Sequence, residues 1–282
     1  GRPRLGNWVR RVLCLAVMAA TGLLPGMRQG LVAQLAIILA ITGPGAGKDV
    51  GKRPSWEDAT CPGSVRLDGY GHAQIVPTGW KSMAVKGGDA IVHMGGRAYF
   101  ADTCTAGHYD HKQYLALNLL GKTMRFSTDI SGTHCGCNAA LYLTSMAQNT
   151  HESECFDYYC DANNVCGESC AEIDIMEANM HAWHSTLHAA HDHSGLGEGF
   201  GGGGSGWNGP RDWSIMDYGP GRRCIDTSKP FEVAVEFPVD YNKQLSAMAM
   251  TLTQQGSACP LTATISSYPG MAELSQALKA GM

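Results

Sequence analysis

The segment Ala171-Glu-Ile-Asp-Ile-Met-Glu-Ala-Asn179 sets three carboxylates, Glu172, Asp174 and Glu177, close together in a chain whose charged fraction is only 16%. Clustered acids can divide labour. Repulsion raises the pKa of one, which can then give a proton, while a neighbour stays ionised and attacks. Hydrolysis of a glycosidic bond needs such a pair. Spacing decides whether the three can meet. On a regular strand Glu172 and Asp174 share a face and Glu177 points the other way. One extra residue at a β-bulge brings Glu177 back, with Ile173, Ile175 and Met176 left to bury the opposite face. A helix fits less well, because residues two apart diverge by roughly 200° and only Asp174 and Glu177 become neighbours. We therefore expect a bulged strand on the floor of a cleft. The plain alternative is a solvated acidic strand edge.

The elements that would carry this strand are themselves strands. From Gly63 onward, short apolar-polar alternations are separated by glycine-rich turns. Met124, Phe126, Thr128 and Ile130 alternate with polar neighbours, Ala139 to Met146 reads as a buried strand, and Phe231 to Phe237 and Ala247 to Thr253 repeat the pattern. The expectation is an all-β sandwich. Met271 to Ala280 alone reads as helix, with Met271, Leu274 and Leu278 on one face and Gly281 as a stop. Gly195 to Gly206 reads as a flexible surface loop.

The 282 residues are 44% hydrophobic with a net charge of -4, enough chain for a sizeable core and no basic footprint for nucleic acid or anionic membrane. Of the 11 cysteines, Cys14 lies in an apolar leader. The rest, Cys61 to Cys259, form an even set without repeated CxxC pairs, which favours disulfides and an oxidising compartment. Arg2, Arg4, Arg10 and Arg11 precede the apolar run Val12 to Leu24, and a second run spans Leu31 to Thr42. Each is shorter than the roughly 20 residues of a membrane-spanning helix and suits a signal-peptide core. We read 1–47 as a targeting leader, with a membrane anchor as the alternative, 48–282 as the folded body, and the protein as secreted.

His181, His184, His188 and His191, with Asp192 and His193, would align on one helical face and could suggest a metal. No H-E-x-x-H stands there, and on strand and loop the spacings do not converge. No metal or other cofactor is expected.

The same acidic segment, Glu172-Ile-Asp-Ile-Met-Glu177-Ala-Asn, resembles the catalytic motif of glycoside hydrolase family 7, cellulases with a concanavalin-like β-jelly-roll fold. Leu119 to Met146 looks like that family's strand pair, Tyr159-Cys160-Asp161 its Tyr-Cys-Asp turn, Trp207-Asn208 with Arg211 its Trp-Asn-Pro-Tyr-Arg segment, and Tyr218 to Phe231 its next strand entry. The agreement covers about residues 113 to 282, in order. The resemblance implies Glu172 as nucleophile, Asp174 as its orienting acid, Glu177 as acid/base and His188 close to the acid/base and leaving-group side. It places Asn138, Tyr142, Tyr159, Asp161, Trp207 and Arg211 on the sugar sites. One family bridge survives as Cys160 and Cys170, while Asn164 and Ser169 replace both halves of another.

The departures carry expectations too. Met176 stands where the family has tryptophan, and Gly209-Pro210 replaces Pro-Tyr before Arg211. Only Asp161 to Cys170 stands where the family inserts a long roofing loop, and glycine-rich sequence replaces a cysteine-stapled loop after His188. Missing roofs imply an open groove and endo-cleavage. The family runs on past the position of Met282 into a further strand, a tryptophan and acidic residues, so the resemblance implies a fold incomplete at its C-terminus, poorly soluble and weakly active alone. The partner of Cys135 would lie in that portion, leaving Cys135 unpaired or pairing with Cys137 or another thiol. The expected function is retaining hydrolysis of β-1,4-glucan, with cellulose or a similar polysaccharide as partner. A non-catalytic β-glucan-binding protein and a His-cluster zinc hydrolase are the rival readings.

Overall fold

The computed structural model describes residues 15–19, 38–42, 60–78, 83–146, 150–200, 213–214, 216–257 and 259–282. In chain order the strands are β1 (Leu15–Ala19), β2 (Ile38–Thr42), β3 (Ser64–Leu67), β4 (Gly71–Pro77), β5 (Met83–Lys86), β6 (Asp89–His93), β7 (Arg97–Ala101), β8 (Thr123–Asp129) and β9 (Asn138–Thr144). They continue with β10 (Glu172–Asn179), β11 (Ala182–His188), β12 (Leu196–Phe200), β13 (Tyr218–Gly219), β14 (Ile225–Asp226), β15 (Phe231–Glu236), β16 (Met248–Thr253) and β17 (Leu261–Ile265). The single α-helix among the described residues, α1, spans Met271–Ala280, as its periodicity predicts.

Two antiparallel sheets face each other. A seven-stranded sheet runs β17-β16-β15-β8-β1-β6-β5, and an eight-stranded sheet runs β12-β11-β10-β9-β2-β7-β4-β3. This is the all-β sandwich that the alternation predicts. Met124, Phe126, Phe231, Val233, Val235, Met250 and Leu252 of the first sheet meet Leu141, Leu143, Ile173, Ile175, Met176, Trp183 and Leu187 of the second in one core. Trp183 is its largest fully buried side chain, within 6.5 Å of the Trp213, Tyr218 and Phe231 rings. Helix α1 seals one end with Leu274, Ala277 and Leu278, and Gly281 at positive φ ends it.

Two elements differ from their sequence reading. The apolar runs assigned to a leader supply β1 and β2, each paired on both sides: β1 with β6 and β8, β2 with β7 and β9. A short apolar run suits a buried strand as well as a signal core, and periodicity alone does not separate them. The glycine-rich stretch read as a flexible loop begins with a strand, β12, zipped along β11 from Leu196↔Leu187 to Phe200↔Trp183. Its glycines allow close approach: a Cβ on Gly199 would stand 2.1 Å from the Trp183 carbonyl oxygen.

Disulfides join Cys61–Cys104, Cys155–Cys166, Cys160–Cys170 and Cys224–Cys259. Cys160–Cys170 is the bridge the family resemblance implies. Cys137 is disulfide-bonded as well, and Cys135 is free and exposed.

Candidate active site

The acidic segment is a bulged strand. Against β11, Asp174 pairs with Thr186 and Glu177 with His184, so three steps along β10 match two along β11. Against β9, Asp174 pairs with Tyr142 and Met176 with Leu141, two steps against one. The extra residue leaves both Ile175 and Met176 fully buried in the core and returns Glu177 to the face of Glu172 and Asp174. A bulge leaves backbone groups without ladder partners, and here a core hydroxyl repairs one of them. Ser185 Oγ donates to the Ile175 carbonyl at 2.6 Å, and Trp183 Nε1 donates to Ser185 Oγ at 2.9 Å. Met176, in the place of the family tryptophan, fills the space beneath the site from the core side.

Above the bulge lies a groove of about 690 Å³. Glu172, Asp174, Glu177 and His188 line it, together with Asn138, Tyr142, Tyr159 and Asp161. Eight of the ten catalytic and sugar-site residues named from the sequence therefore converge on one cleft. Trp207 and Arg211 lie outside the described residues.

Each carboxylate has its own environment. Glu172 is 5% exposed and its Oε2 accepts the Ala162 N–H at 3.0 Å, from the turn closed by Cys160–Cys170. Asp174 is 8% exposed, and its Oδ2 lies 3.2 Å from His188 Nε2. His188 Nδ1 lies 2.7 Å from the Asp192 carbonyl oxygen. A carbonyl only accepts, so Nδ1 carries a hydrogen and Nε2 is the atom that meets Asp174. Glu177 is more open; its Oε1 accepts from Asn138 Nδ2 at 3.1 Å.

Burial pushes Glu172 and Asp174 well above the usual carboxylate range, with repulsion from Asp174 adding at Glu172 and repulsion from Glu177 and Asp161 adding at Asp174. The two titrate as a pair that keeps a proton where isolated acids would have lost it. The Ala162 N–H favours the charged form of Glu172 and opposes part of that rise. The site thus holds two buried, coupled carboxyl groups, with a third carboxyl group nearer to solvent.

The groove wall continues in tyrosines. Tyr142 and Tyr159 meet edge to face at 6.2 Å, and the Arg97 guanidinium lies 4.3 Å over the Tyr159 ring. Arg97 is fixed by the buried carboxylate of Asp157 and by Thr78 Oγ1. Burial raises both tyrosine pKa values, so their hydroxyls remain protonated. Flat aromatic faces and fixed hydroxyls suit a sugar's apolar faces and hydroxyl rim.

Sequence reasoning missed Arg97 and His184, both on the groove. Arg97 is distant in sequence from every motif, and only the β2–β7 and β4–β7 pairings bring it near. His184 did carry a signal: it, Thr186 and His188 follow a period of two and so share one strand face.

The family described as "Glycosyl hydrolase family 7" matches residues 56–163, up to the turn that donates to Glu172. Endoglucanase EG-1 of Hypocrea jecorina is 33% identical over 208 residues, covering 60% of this chain and 43% of that protein. Endo-beta-1,4-glucanase celB of Emericella nidulans is 28% identical over 261 residues, covering 68% of this chain and 59% of the relative. The chain thus spans less than two thirds of the length of these relatives. Among solved structures, the native Humicola insolens endocellulase EGI aligns at a TM-score of 0.46 and 23% identity, over 61% of this chain and 56% of that one. The family model thus matches the segment upstream of the bulged acidic motif, and the chain is similar to glycosyl hydrolase family 7 over that segment.

Proposed function

We propose that this chain carries the catalytic groove of a retaining endo-β-1,4-glucanase acting on cellulose or a related β-glucan outside the cell. The reading rests above all on one observation: a bulge gathers Glu172, Asp174 and Glu177 on the floor of a tyrosine-lined groove. The names of the relatives, endoglucanases and an endo-beta-1,4-glucanase, support it.

In this mechanism Glu172, ionised and oriented by the Ala162 N–H, attacks the anomeric carbon while Glu177 gives its proton to the departing glycosidic oxygen. The carbon–oxygen bond to the leaving sugar breaks as the bond to Glu172 forms. Glu177, now ionised, takes a proton from water, whose oxygen displaces Glu172 and restores the β-configuration. Asp174 supplies the neutral acid beside the nucleophile, and His188 holds Asp174 through Nε2. No cofactor enters these steps. The disulfides support export to an oxidising compartment.

The test is hydrolysis of soluble cellulose derivatives, followed by reducing sugar, viscosity and early-time NMR of the product anomer, with and without a chelator. Early viscosity loss with β-product and no chelator effect is expected. The α-anomer would overturn retention, cellobiose release at intact viscosity would overturn endo-action, and binding without sugar release would leave a glucan-binding protein. Abolition by the chelator would revive the zinc reading.

A further inference from the structure

The bulge does more than collect carboxylates; it matches them one for one with side chains of β11. Glu172, Asp174 and Glu177 pair in register with His188, Thr186 and His184. The two histidines both reach an acid. His188 Nε2 lies 3.2 Å from Asp174 Oδ2, and His184 Nδ1 lies 3.7 Å from Glu177 Oε2. Glu177 is thereby held between two strands, Asn138 of β9 on Oε1 and His184 of β11 on Oε2.

The far edge of the His184 ring is fixed by β12. A Cβ on Gly197 would stand 2.6 Å from His184 Nε2 and 2.9 Å from Thr186 Oγ1, so only glycine lets the strand lie flat against the ring and leave Nδ1 directed at Glu177. Gly195 sits in the same way on His188, with a Cβ 2.6 Å from its Nδ1. The glycine-rich strand is thus a flat backing for both histidines.

We propose that His184 is a positioning residue for Glu177, and that Gly197 is the seat that aims it. This rests on the reading of Glu177 as acid/base. A general acid works only when its proton points at the leaving oxygen, and a carboxyl group nearer to solvent rotates unless both oxygens are restrained. At 3.7 Å the two side chains lie just beyond hydrogen-bond distance, and the positioning role requires the gap to close when substrate enters the groove.

The test exploits leaving-group chemistry. Cello-oligosaccharides need full protonation of the departing oxygen, whereas dinitrophenyl β-cellobioside needs little. His184→Ala should lower kcat/KM on the oligosaccharide about tenfold, a fraction of the full effect of an acid catalyst, and leave kcat/KM on the aryl substrate within about twofold, since kcat/KM reports the step that forms the bond to Glu172, with His184→Asn recovering most of the loss through its amide N–H. Gly197→Ala should show the same selective loss, and no further loss in the His184→Ala background. Equal loss on both substrates, no loss on either, or additive effects of the two substitutions would overturn the proposal. The parent reading is separately exposed: if Glu177→Gln fails to discriminate between the substrates, Glu177 is not the acid and that reading falls first. Thermal melts of each variant identify damage to the fold, and there His184→Asn decides alone.

Discussion

Strand β15 of the seven-stranded sheet alternates between buried Phe231, Val233 and Val235 and more open Glu232, Ala234 and Glu236. Its one face meets the core and its other meets water. Strand β9 of the eight-stranded sheet is buried without alternation from Ala139 to Thr144, and β10 from Glu172 to Met176. These central strands are covered twice, by the apolar core on one side and on the other by the Tyr142–Tyr159 pair and the disulfide-closed turn. A sheet face covered this way withdraws its acids from water, and withdrawn acids have the perturbed protonation that catalysis uses. Acids on the open face of β15 have no such cover.

The largest break in this contrast is chemical. Glu172→Gln and Glu177→Gln should each lower turnover on a soluble cellulose derivative by roughly a thousandfold or more, because an amide neither attacks nor donates the proton. Glu236→Gln on the open face of β15 should stay within about twofold. A wild-type rate in either site variant would sink the assignment.

Asp174→Asn should cost less, on the order of ten- to a hundredfold, since an amide still orients a neighbour. The Asp174 charge contributes to raising Glu172, so the acidic limb of kcat/KM should move to lower pH in this variant. Stability should move the other way from activity. Carboxyl groups raised in the folded state bind protons that the unfolded chain releases, so native stability falls as pH rises from the ordinary carboxylate range through the raised values. Removing one such group should raise Tm at neutral pH by about 3 °C, roughly 1 kcal/mol for a domain of this size. A lower Tm in calorimetry would contradict the repulsion described for the pair.

The smallest effect should come from the core side of the bulge. Ser185→Ala removes the donor to the Ile175 carbonyl and the acceptor for Trp183 Nε1, at a cost of about 1–3 kcal/mol. Its activity should drop by less than that of Asp174→Asn, and amide exchange around Glu177 should quicken. Unchanged exchange would show that the bulge is held by packing alone.

The two sheet faces were not equally legible in the sequence. Period-two alternation located β8, β15 and β16, and the spacing of Met271, Leu274 and Leu278 located α1, because each has one wet side. The bulge was legible because three acids at that spacing have no other economical way to share a strand face. What escaped lies where burial is two-sided or pairing is remote. The runs holding β1 and β2 look alike as signal cores and central strands, β12 hid behind its glycines, and Arg97 reaches the groove only through pairings with distant strands. Sequencing the N-terminus of the purified protein decides the first of these: a chain beginning after residue 47 would lack β1 and β2 and leave β8 and β9 without those neighbours.

The turn above Glu172 has one more consequence. Ala162, whose N–H orients the nucleophile, lies between Cys160 and Cys170 and within the span of Cys155–Cys166. The large sheets carry none of these cysteines. A reductant should therefore silence the groove while leaving the sandwich standing, so that loss of hydrolysis precedes loss of far-ultraviolet ellipticity. Such a catalyst is armed by its surroundings as much as by its sequence, idle in a reducing cytoplasm and competent once it reaches an oxidising one.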